Sequence, residues 1–207
     1  ETAASHANLS LLDLGWVVNL AAGTEVSGVE GGHIQFGIGD DWARLGDKAI
    51  ALSGGYGEDT LIGGEGNDVL SGDGGDDSLF GAAGKDHLSG GADNDILSSG
   101  KGLDHLRGGA GADTFSFGLA DSDLVASDLI LDLEDADLID LTRLAADAGV
   151  GLHRVEGGFD NQAGAVLLSY DAGDGRTSLD VDIDGDGQSD WRVVLAGDHL
   201  DFANLVL

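Results

Sequence analysis

Seven aspartates spaced nine residues apart are the residues of this sequence with the clearest potential for chemistry. They are Asp59, Asp68, Asp77, Asp86, Asp95, Asp104 and Asp113. Carboxylates stacked at one repeated position would repel one another unless a cation lay between them. The glycines around them permit tight turns that bring backbone carbonyl oxygens close together. The pattern therefore predicts a row of oxygen-rich metal sites.

A nine-residue repeat positions these carboxylates. Residues 54–116 divide without gaps into seven units, each with Asp at the sixth position. The fourth position is Gly except at Asp93, and the eighth is Leu in six units and Phe115 in the last. Each unit therefore predicts a glycine-rich turn followed by a short strand with its eighth residue facing inward. A flexible Gly/Asp-rich linker is the alternative, but it would not place an apolar residue at every ninth position.

The unit Gly63-Gly64-Glu65-Gly66-Asn67-Asp68-Val69-Leu70-Ser71 resembles the GGxGxDxUx repeat of the RTX (haemolysin-type calcium-binding repeat) family. The resemblance implies an all-β fold, a right-handed parallel β-roll in which two units complete one turn. It also implies a calcium ion between loops stacked on the same side, bound by the Asp of both loops. Carbonyls at positions one and three of one loop, and two and four of the other, would complete six hard oxygens, which suit Ca²⁺ better than Zn²⁺ or Cu²⁺.

The resemblance names the carbonyl ligands. At the first and third positions they are Gly54, Tyr56, Gly63, Glu65, Gly72, Gly74, Gly81, Ala83, Gly90 and Ala92. At the second and fourth positions they are Gly64, Gly66, Asp73, Gly75, Ala82, Gly84, Gly91, Asp93, Gly100, Gly102, Gly109 and Gly111. Pairing each unit with the next but one predicts five calcium sites, and Asp41 with Asp59 could supply a sixth.

The composition restricts the partners of the chain. With 39 Asp+Glu against 9 Lys+Arg the formal charge is −30, which favours cations and argues against nucleic acid or an anionic membrane surface. There is no cysteine, so neither disulfides nor thiolate metal sites can stabilise the fold. No apolar run approaches the roughly 20 residues of a membrane span, so we expect no stable membrane insertion. Because the sequence starts at Glu1 without Met, we expect a fragment of a larger protein.

The repeats divide the chain into three parts. Residues 1–35 are predicted to form irregular N-terminal coils or a cap, residues 36–116 the roll, and residues 117–207 a β-rich capping and secretion-signal region. Residues 16–24 loosely resemble the first coils of the serralysin C-terminal domain, with an unrelated cap as the alternative. Residues 128–133 and 137–141 resemble segments that follow the repeats in serralysin-like type I-secreted proteins. We predict a helix over 142–148 and strands over 165–170, 177–183 and 191–195.

A second acidic cluster lies in the predicted cap. Its candidate metal ligands, Asp182, Asp184, Asp186 and Asp190, occupy the first, third, fifth and ninth places of an EF-hand-like loop. The twelfth place holds Val193 in place of a bidentate Glu, and no convincing helices flank the loop, which argues against a true EF-hand. Weak calcium binding and a plain acidic hairpin remain the two interpretations.

The end of the chain, residues 201–207, resembles the signal read by the type I secretion machinery. Family members often carry an acidic residue before the last apolar triplet, where this chain has Asn204. A final strand that buries Leu205 and Leu207 is compatible with that signal, because export precedes folding.

Six histidines are scattered along the chain, and none lies in an H-E-x-x-H zinc-protease motif. There is no G-x-S-x-G elbow and no thiol nucleophile, so we predict a non-catalytic chain. His87 and His105 share one repeat position two units apart, which predicts stacking about 4.8 Å apart across neighbouring strands. Adventitious Zn²⁺ or Ni²⁺ binding and plain solvent exposure are the two interpretations of that pair.

Together these features predict a calcium-binding roll that folds on Ca²⁺ outside a bacterial cell. Its partners would be calcium ions, the type I secretion machinery through the C-terminus, and an upstream catalytic or effector domain, such as that of a serralysin-like protease or a lipase. A carbohydrate-binding or adhesin module is the alternative. Such a module would need a basic or aromatic stripe, and within the repeats only Lys85, Lys101 and Arg107 are basic.

Overall fold

The structure is a computed structural model that describes residues 17–19, 25–29, 32–122 and 124–207. Most of the segment 16–24, which resembles the first coils of the serralysin C-terminal domain, lies outside the described residues. In chain order the strands are β1 (Val17–Asn19), β2 (Glu25–Val29), β3 (His33–Gln35), β4 (Trp42–Leu45), β5 (Ala51–Tyr56), β6 (Thr60–Ile62), β7 (Val69–Gly74), β8 (Ser78–Gly84), β9 (His87–Ala92), β10 (Ile96–Gly102), β11 (His105–Ala110), β12 (Thr114–Ser116), β13 (Asp128–Ile130), β14 (Leu138–Asp140), β15 (His153–Val155), β16 (Ala165–Asp171), β17 (Arg176–Asp182), β18 (Trp191–Ala196) and β19 (Leu205–Val206). One helix, α1 (Thr142–Ala148), is found in the described part of the chain.

The strands alternate between two sheets, because each nine-residue unit contributes one strand and then turns. The odd strands β1 to β13 pair in parallel in one sheet, and the even strands β2 to β14 pair in parallel in the other, which β19 extends. Register partners in the regular repeats are 18 residues apart, as in Leu70 with Leu88 and Leu79 with Leu97. Two units therefore complete one turn, and the prediction of an all-β parallel β-roll is confirmed.

The eighth-position column is the core of the roll. Its members in the regular repeats are at most 2% exposed: Leu61, Leu70, Leu79, Leu88, Leu97, Leu106 and Phe115. Ile34, Ala43 and Leu52 extend the column on the N-terminal side and are also buried. Burial of each leucine contributes about 2 kcal/mol, so the roll depends on this single narrow column for its hydrophobic stabilisation.

The roll continues past Ser116 after an interruption. Leu106 pairs with Ile130 and Phe115 with Ile139, an offset of 24 residues, or 18 + 6. Six residues, 117–122, are therefore inserted, and residues 123–131 and 132–140 resume the nine-residue frame. Ile130 and Ile139 are fully buried in the eighth-position column.

The last part of the chain closes the end of the roll. Strands β16, β17 and β18 form an antiparallel meander, and β18 pairs in parallel with β13 to join the odd-strand sheet. Trp191 at the start of β18 is buried against Phe117, with ring centroids 5.7 Å apart.

The predicted helix over 142–148 is confirmed, and each of the three predicted strands matches its observed strand within one residue at either end. Within the described residues, no helix has the length and apolar character needed to cross a bilayer.

Candidate metal centre

The sixth-position aspartates form two buried ladders, one along each edge of the roll. The backbone N–H of each Asp donates to Oδ1 of the Asp one turn later, at 2.7 to 2.9 Å for the five pairs in the regular repeats. The five pairs are Asp59/Asp77, Asp68/Asp86, Asp77/Asp95, Asp86/Asp104 and Asp95/Asp113. The structure thus brings together the carboxylates that the repeat pairs.

The second carboxylate oxygen of these residues has a different environment. Within the described part of the chain, Oδ2 is buried and receives no hydrogen bond in Asp59, Asp77, Asp86, Asp95, Asp104 and Asp113. A buried charged acceptor with no donor is costly, because it has lost its water without gaining a partner. Such an oxygen needs either a proton or a cation as its partner.

Glycines at the first position make room beside these oxygens. A Cβ placed on Gly54 would overlap Asp59 Oδ2 and lie 2.9 Å from the carbonyl oxygen of Gly72, in the loop one turn later. A Cβ on Gly81 would lie 2.6 Å from Asp86 Oδ2 and would overlap the carbonyl oxygen of Ser99. We call each such region an interloop space and name it by the two aspartates that bound it. The polar atoms nearest Gly54 and Gly81 are carboxylate and carbonyl oxygens.

The repeat pattern does not show which of two stacked loops directs which carbonyls into the space between them. The direction of the carbonyls in the structure does. First-position carbonyls point to the earlier loop, as Gly72 does towards Gly54, whereas second- and fourth-position carbonyls point to the later loop. The carbonyl of Gly57, for example, faces Gly75. Each interloop space therefore takes carbonyls from positions two and four of its earlier loop. This direction brings in carbonyls that the sequence did not predict, among them those of Gly57 and Ser99. It turns the carbonyl of Tyr56, a predicted ligand, towards the loop of Asp41, where it accepts from the N–H of Gly39 at 2.6 Å.

The third-position carbonyls are also directed towards the earlier loop, but they are occupied by backbone hydrogen bonds. The carbonyl of Gly74 accepts from the N–H of Gly57 at 2.9 Å, and that of Ala92 accepts from the N–H of Gly75 at 3.2 Å. A carbonyl oxygen has two lone pairs, so it can accept a hydrogen bond and still bind a cation.

The first loops of the roll differ from the regular ones. In the loop that opens with Leu45, the sixth position is Ile50, and both side chains are buried. The carboxylate that follows on this edge, Asp68, has its Oδ2 occupied by the N–H of Gly64 at 2.9 Å. The loop of Asp41 opens with Phe36, which is also buried. Apolar side chains therefore occupy the first position of these two loops, where every regular loop except that of Ser99 has glycine.

Two further aspartates extend the ladders, and the sequence did not predict this role for them. The N–H of Asp104 donates to Asp128 Oδ1, and the N–H of Asp113 donates to Asp137 Oδ1, both at 3.0 Å. Their signal was the recurrence of Asp at the sixth position and Ile at the eighth, hidden by the six-residue insertion. Ser99, at a first position, donates its hydroxyl to Asp128 Oδ2 at 2.9 Å, so a protein donor satisfies that carboxylate.

Burial is the main cause of the raised pKa values of the ladder aspartates. It raises the pKa of Asp59 and Asp104 to about 6, and of Asp77, Asp86 and Asp95 to about 7. Backbone hydrogen bonds oppose this rise, and the charge of the neighbouring aspartates adds to it. The pKa of Asp128 rises to about 8 for the same first cause. Without a cation, the ladders therefore resist full ionisation at neutral pH.

The acidic loop of the cap is a hairpin between β17 and β18, so strands rather than helices flank it. Carboxylate oxygens of Asp182, Asp184 and Asp190 lie within 4.8 Å of one another. Asp182 is buried and accepts from the N–H of Gly185 at 2.7 Å and of Gly187 at 2.8 Å. Asp186 instead accepts from the N–H and side-chain amide of Gln188. Three of the four predicted ligands thus converge, while calcium binding there stays a prediction.

Comparisons with known proteins found similar solved structures and a matching family. In solved structures, the chain is similar to two subunits of the mannuronan C5-epimerase of Azotobacter vinelandii, AlgE6R3 and AlgE6R2. The first is 29% identical, with 81% of this chain and 77% of that chain covered and a TM-score of 0.39. The second is 27% identical, with 78% and 89% covered and a TM-score of 0.36. No curated protein sequence matches the chain significantly.

A family model for the Peptidase M10 serralysin C terminal matches residues 48–207, which include the regular repeats, the resumed units and the cap. The match covers most of the chain and confirms the resemblance drawn from the repeat residues and from the segments that follow them. The chain belongs to the serralysin C-terminal family, the RTX-repeat region that forms the non-catalytic end of serralysin-type proteins.

Proposed function

We propose that this domain binds calcium in its interloop spaces, folds when it does so outside the cell, and thereby stabilises and supports the secretion of a larger exoprotein. The observation that carries the proposal is the set of buried Oδ2 atoms that receive no hydrogen bond in the described structure. They recur at one position on both edges of the roll, beside glycines that leave space and carbonyls that point into it.

Calcium fits the donor set best. The groups that face each interloop space are carboxylate and carbonyl oxygens, with no sulfur or imidazole among the described residues that bound it. Hard oxygens in a ring of six or more, on flexible glycine loops, suit Ca²⁺, whereas Zn²⁺ and Cu²⁺ favour nitrogen and sulfur. Mg²⁺ demands a tighter octahedron and retains its water, which a buried space between two loops would have to displace.

We assign five calcium ions to the five spaces whose earlier loop has glycine at its first position and Asp at its sixth. We place a sixth between Asp113 and Asp137, where Gly108 leaves the same room beside Asp113 Oδ2. Asp137 would contribute through Oδ1, because its Oδ2 already accepts the N–H of Glu134 at 2.7 Å. Between Asp41 and Asp59 the first position is the buried Phe36, and a Cβ at that position of a regular loop would fill the space. The Asp104/Asp128 space is excluded from the count because Ser99 fills it with a Cβ and a hydroxyl donor.

Calcium would act as the folding signal, because charge repulsion and buried carboxylates favour the unfolded chain when no calcium is bound. The formal charge of −30 and the two ladders of buried carboxylates both favour the unfolded chain when no cation is bound. Binding to the folded state alone shifts the equilibrium towards it, and the effect grows with the concentration of the ion. A chain that stays unfolded where free Ca²⁺ is scarce would remain competent for export.

The position of the C-terminus is compatible with a role in export and, after folding, with a role in closing the edge of the even-strand sheet. Leu205 and Val206 form β19, which pairs with β14 at the edge of the even-strand sheet. The side-chain amide of Asn204 donates to the carbonyl of Asp135 at 2.8 Å, and its carbonyl accepts from the N–H of Ile139 at 3.0 Å. Leu205 and Val206, which an exporter would read in the unfolded chain, thus pair with β14 after folding. Leu205 is partly buried, whereas Leu207 is exposed, so the prediction that the final strand buries Leu207 is wrong.

Native mass spectrometry of the protein at increasing Ca²⁺ tests the proposal. We expect six bound ions at saturation, with the Asp137→Asn variant losing one and the matched Asp41→Asn variant losing none. A saturated stoichiometry of zero or one would overturn calcium binding by the roll. Loss of an ion in Asp41→Asn, with none lost in Asp137→Asn, would overturn the placement of the sixth site.

A further inference from the structure

His87 and His105 stand side by side on the outer face of the odd-strand sheet. They are register partners on β9 and β11, with ring centroids 4.8 Å apart and ring planes at 89°. The residues that follow them, Leu88 and Leu106, point into the core, so the two imidazoles point outward. The predicted placement of the two side chains about 4.8 Å apart on neighbouring strands is therefore confirmed, but the rings meet edge to face and do not stack.

The neighbours of the pair leave its ring nitrogens available. Val69 precedes His87 in the same row across the sheet, and Leu129 follows His105, so the flanking side chains are aliphatic. Within the described residues, neither imidazole makes a hydrogen bond to another side chain or to the backbone. Two adjacent, outward imidazoles without hydrogen-bond partners in the described structure can offer two nitrogen ligands to one ion.

We propose that His87 and His105 together chelate one borderline divalent transition metal ion, of the class of Zn²⁺, Ni²⁺ or Cu²⁺. Neutral imidazole nitrogen is a preferred ligand for these ions, whereas Ca²⁺ prefers oxygen, so the two kinds of site would not compete. Two protein ligands leave the remaining coordination positions open to water or to a ligand from outside the domain. The site is distinct from the interloop spaces, which lie inside the roll.

The roll itself creates the site. The two histidines are 18 residues apart in sequence and become neighbours only when one turn of the roll has formed. Binding of the transition metal therefore requires the folded roll, and it rests on the proposed function to the extent that calcium drives that folding. The positive charge of Arg176 acts on His105 and opposes a bound cation, so the Arg176→Gln variant should bind the metal more tightly.

Isothermal titration with Ni²⁺ in excess calcium chloride, with circular dichroism to verify folding, tests the proposal. We expect one Ni²⁺ per chain, with affinity reduced at least about tenfold in His87→Ala and in His105→Ala, because each variant loses the chelate. His33→Ala is the matched control, since His33 lies in the same row across the sheet, on β3, between Val17 and Ala51. Its affinity should equal that of the unchanged protein.

A rescue variant separates chelation by a pair from general effects on the roll. In His105→Ala, the further change Val69→His places a new imidazole on the other side of His87 and should restore affinity. A folded protein that binds no Ni²⁺ would overturn this inference and leave the calcium proposal standing. Equal losses in His33→Ala and His87→Ala, or a failed rescue in a folded variant, would also overturn it.

Discussion

The backbone N–H of Asp77 donates to Oδ1 of Asp95, one turn further along the roll, at 2.8 Å, while Oδ2 of Asp95 receives no hydrogen bond in the described structure. One oxygen of the carboxylate thus holds the next turn in register, and the other is left for a cation. This division separates two roles in the ladder residues whose Oδ2 has no donor. An asparagine can keep the first role, because its amide oxygen still accepts the N–H, but it cannot supply the second oxygen.

Replacing Asp95 by Asn should therefore weaken calcium binding without breaking the ladder. Asp95 bounds both the Asp77/Asp95 and the Asp95/Asp113 space, so two ions should be affected. In saturating Ca²⁺ we expect the free energy of unfolding in urea to fall by about 3 kcal/mol, the scale for losing one partner of a buried ionic contact.

Asp93→Asn is the control for charge. Asp93 is exposed and has a φ of 78°, a conformation that Asn tolerates well, and its substitution removes the same charge from the same loop. Its stability in Ca²⁺ should stay within about 0.5 kcal/mol of the unchanged protein. Equal destabilisation by the two variants would mean that net charge, and not the ladder position, controls stability.

Adding one methyl group at Gly81 should remove one calcium ion. Gly81 does not have a positive φ, so alanine strains no backbone there, but its Cβ would lie 2.6 Å from Asp86 Oδ2 and overlap the carbonyl of Ser99. We expect Gly81→Ala to bind one ion fewer by native mass spectrometry. Gly151→Ala, where a Cβ meets nothing within 4 Å, should bind the full number. An unchanged count in Gly81→Ala would show that the ion does not lie beside this residue.

Acid should partly replace calcium in stabilising the roll. Burial raises the pKa of Asp77, Asp86 and Asp95 from the ordinary 3.8 to about 7, so the metal-free folded roll holds protons that the unfolded chain releases. That contribution to stability is present in full below about pH 4 and is lost as the pH rises through about 7. Metal-depleted protein should therefore gain β-structure by circular dichroism between about pH 8 and pH 4.5.

The calcium-loaded protein should show the opposite dependence on pH. Protons compete with Ca²⁺ for the same carboxylate oxygens, so lowering the pH should release ions and reduce stability at limiting Ca²⁺. Metal-free protein that stays equally unfolded from about pH 8 to pH 4.5 would show that the buried carboxylates are not the main obstacle to folding.

Trp191 should anchor the cap to the roll. It is 1% exposed and packs edge to face on Phe117, and its Nε1 has no hydrogen-bond partner among the described residues. Trp191→Ala should destabilise the cap by about 3 to 5 kcal/mol through the cavity it leaves. Trp191→Phe should cost clearly less, because it keeps an aromatic ring and removes the unpaired N–H. Equal losses, measured by calcium-saturated urea unfolding, would contradict this account of the contact.

Much of the roll was predictable because its chemistry repeats locally. The period of nine places Leu88 in the core and Asp86 in the ladder without any knowledge of distant residues. The ladder role of Asp128 and Asp137 was not predicted, because six inserted residues interrupt the nine-residue spacing before them. The role of Ser99 could not be predicted, since its partner Asp128 lies 29 residues away. The direction of the carbonyls also needed the structure, because the repeat reads the same for either assignment of loops.

The most direct test of the central claim is circular dichroism of the whole chain at about pH 7.5 while EGTA removes calcium and added calcium then restores it. The account predicts loss of most of the β-signal from the repeats as the ions leave, and cooperative recovery as they return, because each internal Asp serves two spaces. A β-signal that persists undiminished, in protein shown by elemental analysis to hold no calcium, would contradict the claim that calcium folds this roll.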